Sequence, residues 1–179
     1  MRITVSGPPG SGTTSLARYL SSHHGLEMIS AGEVFRQIAK EKGMDISELG
    51  KLAENDLSID ALIDARQKEL ARERDYIVVE GRLSGWIVEN ANLKIWLTAP
   101  LPCRAKRISQ RDGVDEYTAR MMTTVREACE ARRYQNYYSI DIHDLSPYHI
   151  VLNSEQWTTE ELGAIVDTGL SFLVEKTGA

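Results

Sequence analysis

The residues best suited to chemistry stand close together near the start of the chain: Gly7, Pro8, Pro9, Gly10, Ser11, Gly12, Thr13, Thr14 and Ser15. A β-branched run, Ile3-Thr4-Val5, leads into them, and a helical pattern beginning Leu16-Ala17-Arg18-Tyr19-Leu20 follows. Strand, glycine-rich turn and helix start form the context of a phosphate-binding P-loop. Glycine admits the backbone conformations that let several N–H groups point at one anion. The helix start adds unpaired amides and the positive end of the helix dipole. Gly7, four residues, Gly12 and then Thr14 two places on match the P-loop spacing, and Thr14 stands where a hydroxyl binds Mg²⁺. The departure is Thr13, which occupies the place of the lysine that reaches the β- and γ-phosphates.

Other groups fit an anionic partner. Ser30 and Glu33 have capping-box spacing at the start of a helix. Arg36 lies in the first two turns of that helix, where the dipole does not favour a cation. Tyr76-Ile77-Val78-Val79 reads as a strand buried on both faces, and it ends in Glu80-Gly81-Arg82. An acid at that place needs a partner. In a P-loop protein Glu80 would orient water on Mg²⁺, Gly81 would turn the chain across the crevice, and Arg82 would point into it. Asp60 and Asp64, four apart, share a helix face and suit either a base or ribose contact or solvent. Residues 104 to 133 carry eight basic and five acidic side chains, a net +3 in a chain of net charge -5. Arg104, Arg107 and Arg111 fall on one helix face, Arg126 and Arg133 on one face of another, and Gly113 lies between as a hinge. That reads as a short lid over polyphosphate.

Strands expected at about 3–6, 26–29, 76–80, 93–98 and 149–153 alternate with helices. The pattern predicts an α/β fold: one five-stranded parallel sheet with helices on both faces, in a single domain spanning residues 1–179. Ile59, Leu62, Ile63, Arg66 and Leu70 mark one face of the helix before the third strand. Ligands of such sheets bind beyond the carboxyl ends of the strands, where the P-loop, the Ser30 turn and the Glu80 turn all lie. A hydrophobic fraction of 42% supports one core. The acidic balance disfavours a nucleic-acid surface. No apolar run reaches membrane-spanning length, and neither a signal peptide nor a metal-ligand spacing of the two cysteines and four histidines is visible. The expectation is a cytoplasmic protein, a monomer, with free buried thiols at Cys103 and Cys129.

Three stretches are the most specific: Ile29-Ser30-Ala31-Gly32-Glu33-Val34-Phe35-Arg36; Val79-Glu80-Gly81-Arg82-Leu83-Ser84-Gly85-Trp86; and Arg126-Glu127 through Arg133-Tyr134 to Asp144-Leu145-Ser146. On these the chain resembles the archaeal-type cytidylate kinases among the nucleoside monophosphate kinases, nearly end to end. The resemblance implies a P-loop kinase fold with an acceptor-binding helical region (about 31–74) and a lid (about 104–133). It implies transfer of the ATP γ-phosphate to CMP or dCMP with Mg²⁺. By the family pattern Arg36 and Arg82 contact the monophosphate, and Arg107, Arg126 and Arg133 are candidates for the phosphates under the lid; Ser30, Gly32, Asp60, Asp64 and Gly81 join the acceptor side, and Thr14 and Glu80 the metal, from their places in the chain. Another acceptor, such as AMP or UMP, shares every phosphate contact. Thr13 leaves two accounts: the lid arginines Arg107, Arg126 or Arg133 supply the missing charge in an active enzyme, which is the preferred one, or the chain is a nucleotide-binding protein of weak activity.

Overall fold

The computed structural model describes residues 1–45, 48–49, 52–53, 56 and 58–177, with the backbone alone for 174–177. Five strands, β1 (Arg2–Ser6), β2 (Glu27–Ser30), β3 (Ile77–Glu80), β4 (Leu93–Thr98) and β5 (Ile150–Asn153), pair in the order β2-β3-β1-β4-β5. Every pairing is parallel, as the buried apolar runs predict. The helices are α1 (Thr13–His24), α2 (Ala31–Glu41), α3 (Ser58–Glu73), the short α4 (Ser84–Ile87), α5 (Leu101–Asp112), α6 (Glu116–Tyr138) and α7 (Thr159–Thr177).

Ile3, Val5, Val78, Ile95 and Leu97 from the strands meet Leu16 and Leu20 of α1 and Leu162, Val166 and Leu170 of α7 in one cluster. The alternation of strand and helix leaves no other place for these faces. A second cluster gathers Val34 and Ile38 of α2 with Leu49, Ala53 and Ile59, so α2 and the start of α3 share a small core of their own. Asp45 and Glu48 exchange backbone and side-chain hydrogen bonds there, a capping box. The rest of the helix expected from residue 45 lies largely outside the described residues.

Four details differ from expectation. The third strand starts at Ile77, because Tyr76 turns the chain in a left-handed conformation (φ 59°). The buried stripe of α3 is Ile59, Ile63, Gln67 and Ala71, while Leu62 is 38% exposed. Spacing of apolar types misses that stripe because a glutamine sits in it. Ser30 does stand at the N-cap of α2, but its side chain makes no cap hydrogen bond. Residues 101–138 form two helices joined at Gly113, which caps α5 in the left-handed region (φ 71°). Ala105, Ile108 and Ala119 pack between them. Cys103 and Cys129 are free and only partly buried.

Candidate active site

β1, β2 and β3 end together at the carboxyl edge of the sheet, and their turns build the site. The P-loop follows β1. Gly10 and Gly12 take positive φ angles of 79° and 94°, which side chains resist. A Cβ on Gly10 would come within 2.7 Å of the Arg104 carbonyl oxygen. The loop therefore lies flat against α5.

The carbonyls of the loop are held from behind. Arg104 Nη1 donates to Pro9 O (3.1 Å), Arg107 Nη1 to Gly10 O (3.4 Å) and Ser154 Oγ to Ser11 O (2.7 Å). In a trans peptide the C=O and the following N–H point opposite ways. Pinning these carbonyls outward turns the Gly10 and Gly12 amides toward the concave side, while the Ser11 amide closes the turn on Pro8 O (3.1 Å). Thr13, Thr14 and Ser15 add the first-turn amides that α1 itself cannot use. The arrangement is an anion nest with two guanidinium groups behind it. Arg104 is 7% exposed and is also held by Ala99 O (2.9 Å) and the Glu127 carboxylate (2.5 Å). Arg107, placed by sequence above the phosphates, instead has its guanidinium on Ser154 O (2.7 Å) and Ser154 Oγ (2.9 Å). Helix periodicity sets the face of an arginine but not whether a loop carbonyl waits beneath it.

Glu80 ends β3 half-buried, and both of its carboxylate oxygens are engaged. Thr13 Oγ1 donates to Oε1 (2.8 Å) and Ser30 Oγ donates to Oε2 (2.9 Å). Gln67, 1% exposed, donates Nε2 to the Glu80 carbonyl (2.9 Å). Gly81 leaves room for that amide: a Cβ there would meet Ala31 Cβ at 3.1 Å and the Gln67 amide at 3.2–3.3 Å. Beyond Gly32, Arg36 folds back so that its Nη1 and Ser30 Oγ flank the same backbone position, each 3.6 Å from where a Gly32 Cβ would be. Arg36 is exposed and has no acidic partner among the described residues. Thr14 and Glu80 offer a hydroxyl and a carboxylate. Such hard oxygen donors suit Mg²⁺, which keeps waters and relies on phosphate oxygens for the rest of its shell. Among the described residues no group of three or more His, Cys, Asp or Glu forms a protein-only metal cage.

Across the crevice α6 presents Glu130, whose side chain is 4% exposed, between Arg82 Nε (2.6 Å) and Arg126 Nε (2.7 Å). Burial alone pushes the Glu130 carboxyl up, but the charges and hydrogen bonds of Arg82 and Arg126 outweigh it and hold the group below the usual carboxylate range. Because both arginines use Nε, their terminal nitrogens stay available. Arg133 pairs with Asp60 (2.9 Å), tying α6 to α3. Burial also raises the Asp60 carboxyl, against the pull of Arg133 and with a push from Glu130. Asp64 is raised to about 6, chiefly by burial, with Asp60 adding and a Tyr138 hydrogen bond opposing. A cavity of about 200 Å³ lies here, lined by Asp60, Ala61, Arg133, Tyr134, Tyr137 and Tyr138.

The model of the cytidylate kinase-like family matches residues 2–156. The chain belongs to that family. Its relatives include the cytidylate kinases of Methanosphaerula palustris (61% identical over 172 residues, 96% of this chain and 98% of the relative) and Methanoregula boonei (62%, 97% and 96%). The cytidylate kinase of Pyrococcus abyssi is 47% identical over 97% of this chain and 96% of its own length. Among solved structures, an uncharacterized protein of Eubacterium ventriosum superposes with a TM-score of 0.73 at 18% identity, covering 96% of this chain and 98% of its own. Shikimate kinase from Bacteroides thetaiotaomicron follows at 0.66 and 15%, with the same coverage. At these identities the likeness carries the fold alone, a five-stranded parallel sheet with flanking helices. Within the family, the residues that sequence reasoning missed are Gln67, Glu130 and Ser154. A buried glutamine in an apolar stripe and an acid set among arginines were the only signals available.

Proposed function

We propose that the chain transfers the γ-phosphoryl group of ATP to CMP or dCMP. The observation that carries this reading is the meeting, at one edge of the sheet, of an anion nest with pinned carbonyls and a second, arginine-lined phosphate place. The first suits the donor, with amides of residues 10 and 12–15 on its β-phosphate. Arg36 and Arg82 suit the acceptor phosphate, and Arg126 stands beside Arg82 on the α6 side, over the transferring group. Arg104 and Arg107 act through the loop: both hold its carbonyls, and Arg107, unlike the Glu127-paired Arg104, adds an uncompensated positive charge behind the phosphates. Thr14 and Glu80 are the residues that would hold Mg²⁺. Held there, Mg²⁺ would supply positive charge against the phosphate groups. Phosphoryl transfer asks for little beyond positioning and neutralisation, and α5 with α6 closing as a lid would exclude water and limit hydrolysis.

The family's named activity supports a cytidine acceptor, and so does the cavity beside α3. It suits a pyrimidine ring, with Tyr134, Tyr137 and Tyr138 on its walls. Asp64 Oδ2 is buried with no hydrogen-bond partner. Asp60 on the cavity wall and Asp64 one turn along α3 would, as carboxylates, accept from the 4-amino group of cytosine and repel the 4-keto oxygen of uracil. No described helix is long and apolar enough to cross a membrane. A monomer acting on free nucleotides in the cytoplasm fits this and the free thiols. The test is a panel of CMP, dCMP, UMP and AMP with ATP and Mg²⁺, products separated and identified. CDP and dCDP should form fastest; no CDP above background, or faster turnover of UMP or AMP, would overturn the reading.

A further inference from the structure

The hydroxyl that replaces the P-loop lysine is already engaged. Thr13 Oγ1 and Ser30 Oγ donate to opposite oxygens of Glu80, at 2.8 and 2.9 Å. Ser30 reaches Glu80 at the expense of its own helix. It occupies the N-cap of α2 in extended conformation (φ -108°, ψ 133°), where a serine hydroxyl ordinarily accepts from a first-turn amide. It makes no such bond. The two hydroxyls come from different halves of the site: Thr13 opens the donor-side helix α1, and Ser30 precedes the acceptor-side helix α2. Gln67 fixes the backbone of the same residue. Among the described residues Glu80 has no cationic partner. Neutral hydroxyls orient a carboxylate without cancelling its charge. A lysine at position 13 would place an ammonium against it, and the ion pair would compete with any divalent cation.

We propose that Thr13 and Ser30 are positioning residues that orient the Glu80 carboxylate so that it would hold a divalent cation, and that position 13 carries a hydroxyl because an ammonium there would take Glu80 away. On this view the missing lysine is not a lost catalytic charge, since Arg107, which has no acidic partner among the described residues, already stands behind the loop. The inference rests on the reading of this edge as a phosphoryl-transfer site, but not on the identity of the acceptor.

The test measures Mn²⁺ binding to the protein–ADP complex from the paramagnetic resonance signal of free Mn²⁺, with no acceptor and no turnover. Thr13→Val and Ser30→Ala should each weaken Mn²⁺ binding by about 10- to 100-fold, as loss of a hydrogen bond to a metal-holding group does. Metal-free ADP affinity should stay near that of the parent protein, and the melting temperature should fall by no more than the loss of one hydrogen bond to a carboxylate explains. Thr13→Ser keeps the donor and should restore Mn²⁺ affinity. Thr13→Lys should weaken Mn²⁺ binding and lower kcat more than it changes KM for CMP. Unchanged Mn²⁺ affinity in both Thr13→Val and Ser30→Ala would overturn the proposal. So would a Thr13→Lys protein that binds Mn²⁺ normally and turns over faster. If the acceptor panel instead pointed to another nucleotide, the Mn²⁺ results would stand and only the acceptor would be reassigned.

Discussion

Glu130→Gln isolates the contact that Arg82 and Arg126 share. Glutamine keeps the size of the side chain and one acceptor oxygen but removes the charge. Glu130 is 4% exposed and Arg82 14%, so that half of the bridge is shielded from water. Arg126 keeps 61% of its side chain in solvent, although its Nε end reaches in to Glu130, so its share is screened to a fraction of a kcal/mol. Removing one partner of a buried ion pair costs about 3–5 kcal/mol, and a glutamine that still accepts one hydrogen bond lowers this to about 2–4 kcal/mol. For a domain of this size that is a fall in melting temperature of about 5–15 °C. The sign with pH follows from the depressed Glu130 carboxyl. A group with a lowered folded pKa stabilises above its unfolded value, near 4.3, and that stabilisation is lost as the pH falls through the folded value. The gap between parent and variant should therefore be full at pH 7 and shrink in acid below about pH 4. In the variant, Arg82 and Arg126 face each other with no carboxylate between them, so CMP should raise its melting temperature more than it raises that of the parent. Calorimetry or dye-monitored melting across pH, with and without CMP, reads all of this. A variant that melts within 1 °C of the parent at pH 7, or a gap that does not narrow in acid, would refute the reasoning.

The other predictions concern the acceptor side and the loop supports. Asp64→Asn removes a carboxyl whose pKa burial lifts to about 6 from an ordinary value near 3.8. Such a group costs stability as the pH rises from about 4 through 6, by about 2–3 kcal/mol in all. The variant should thus gain on the parent over that range in denaturant titrations, and it should lose preference for CMP over UMP. Gly81→Ala forces a Cβ against Ala31 and the Gln67 amide, so it should destabilise by about 1–3 kcal/mol and lower kcat by loosening Glu80, as melting and steady-state assays would read. Arg107→Met removes the bonds to Ser154 and Gly10 O; it should cost about 2 kcal/mol and raise KM for ATP more than KM for CMP in a two-substrate analysis.

The parallel sheet, the P-loop turn and the placing of Ser30, Glu80 and Arg82 at one edge were legible in the chain by itself. They rest on local causes: β-branched runs buried on both faces, glycines where only glycine turns freely, and the rule that parallel strands all point their carboxyl ends the same way. Family membership was legible for a related reason, since the residues around Arg36, Arg82 and Arg133 form long specific strings. What the arginines and acids touch was not legible, because those partners lie far apart in sequence. Arg107 meets residues 97 positions before it and 47 after it, and Arg82 meets an acid 48 residues on. Helix periodicity gives a face, while only the packed fold says whether a carbonyl, a carboxylate or open space stands opposite. The same holds for Thr13. Its sequence position marks an absent lysine, and only the tertiary structure brings Ser30 and Glu80 within hydrogen-bond distance and gives that hydroxyl a task.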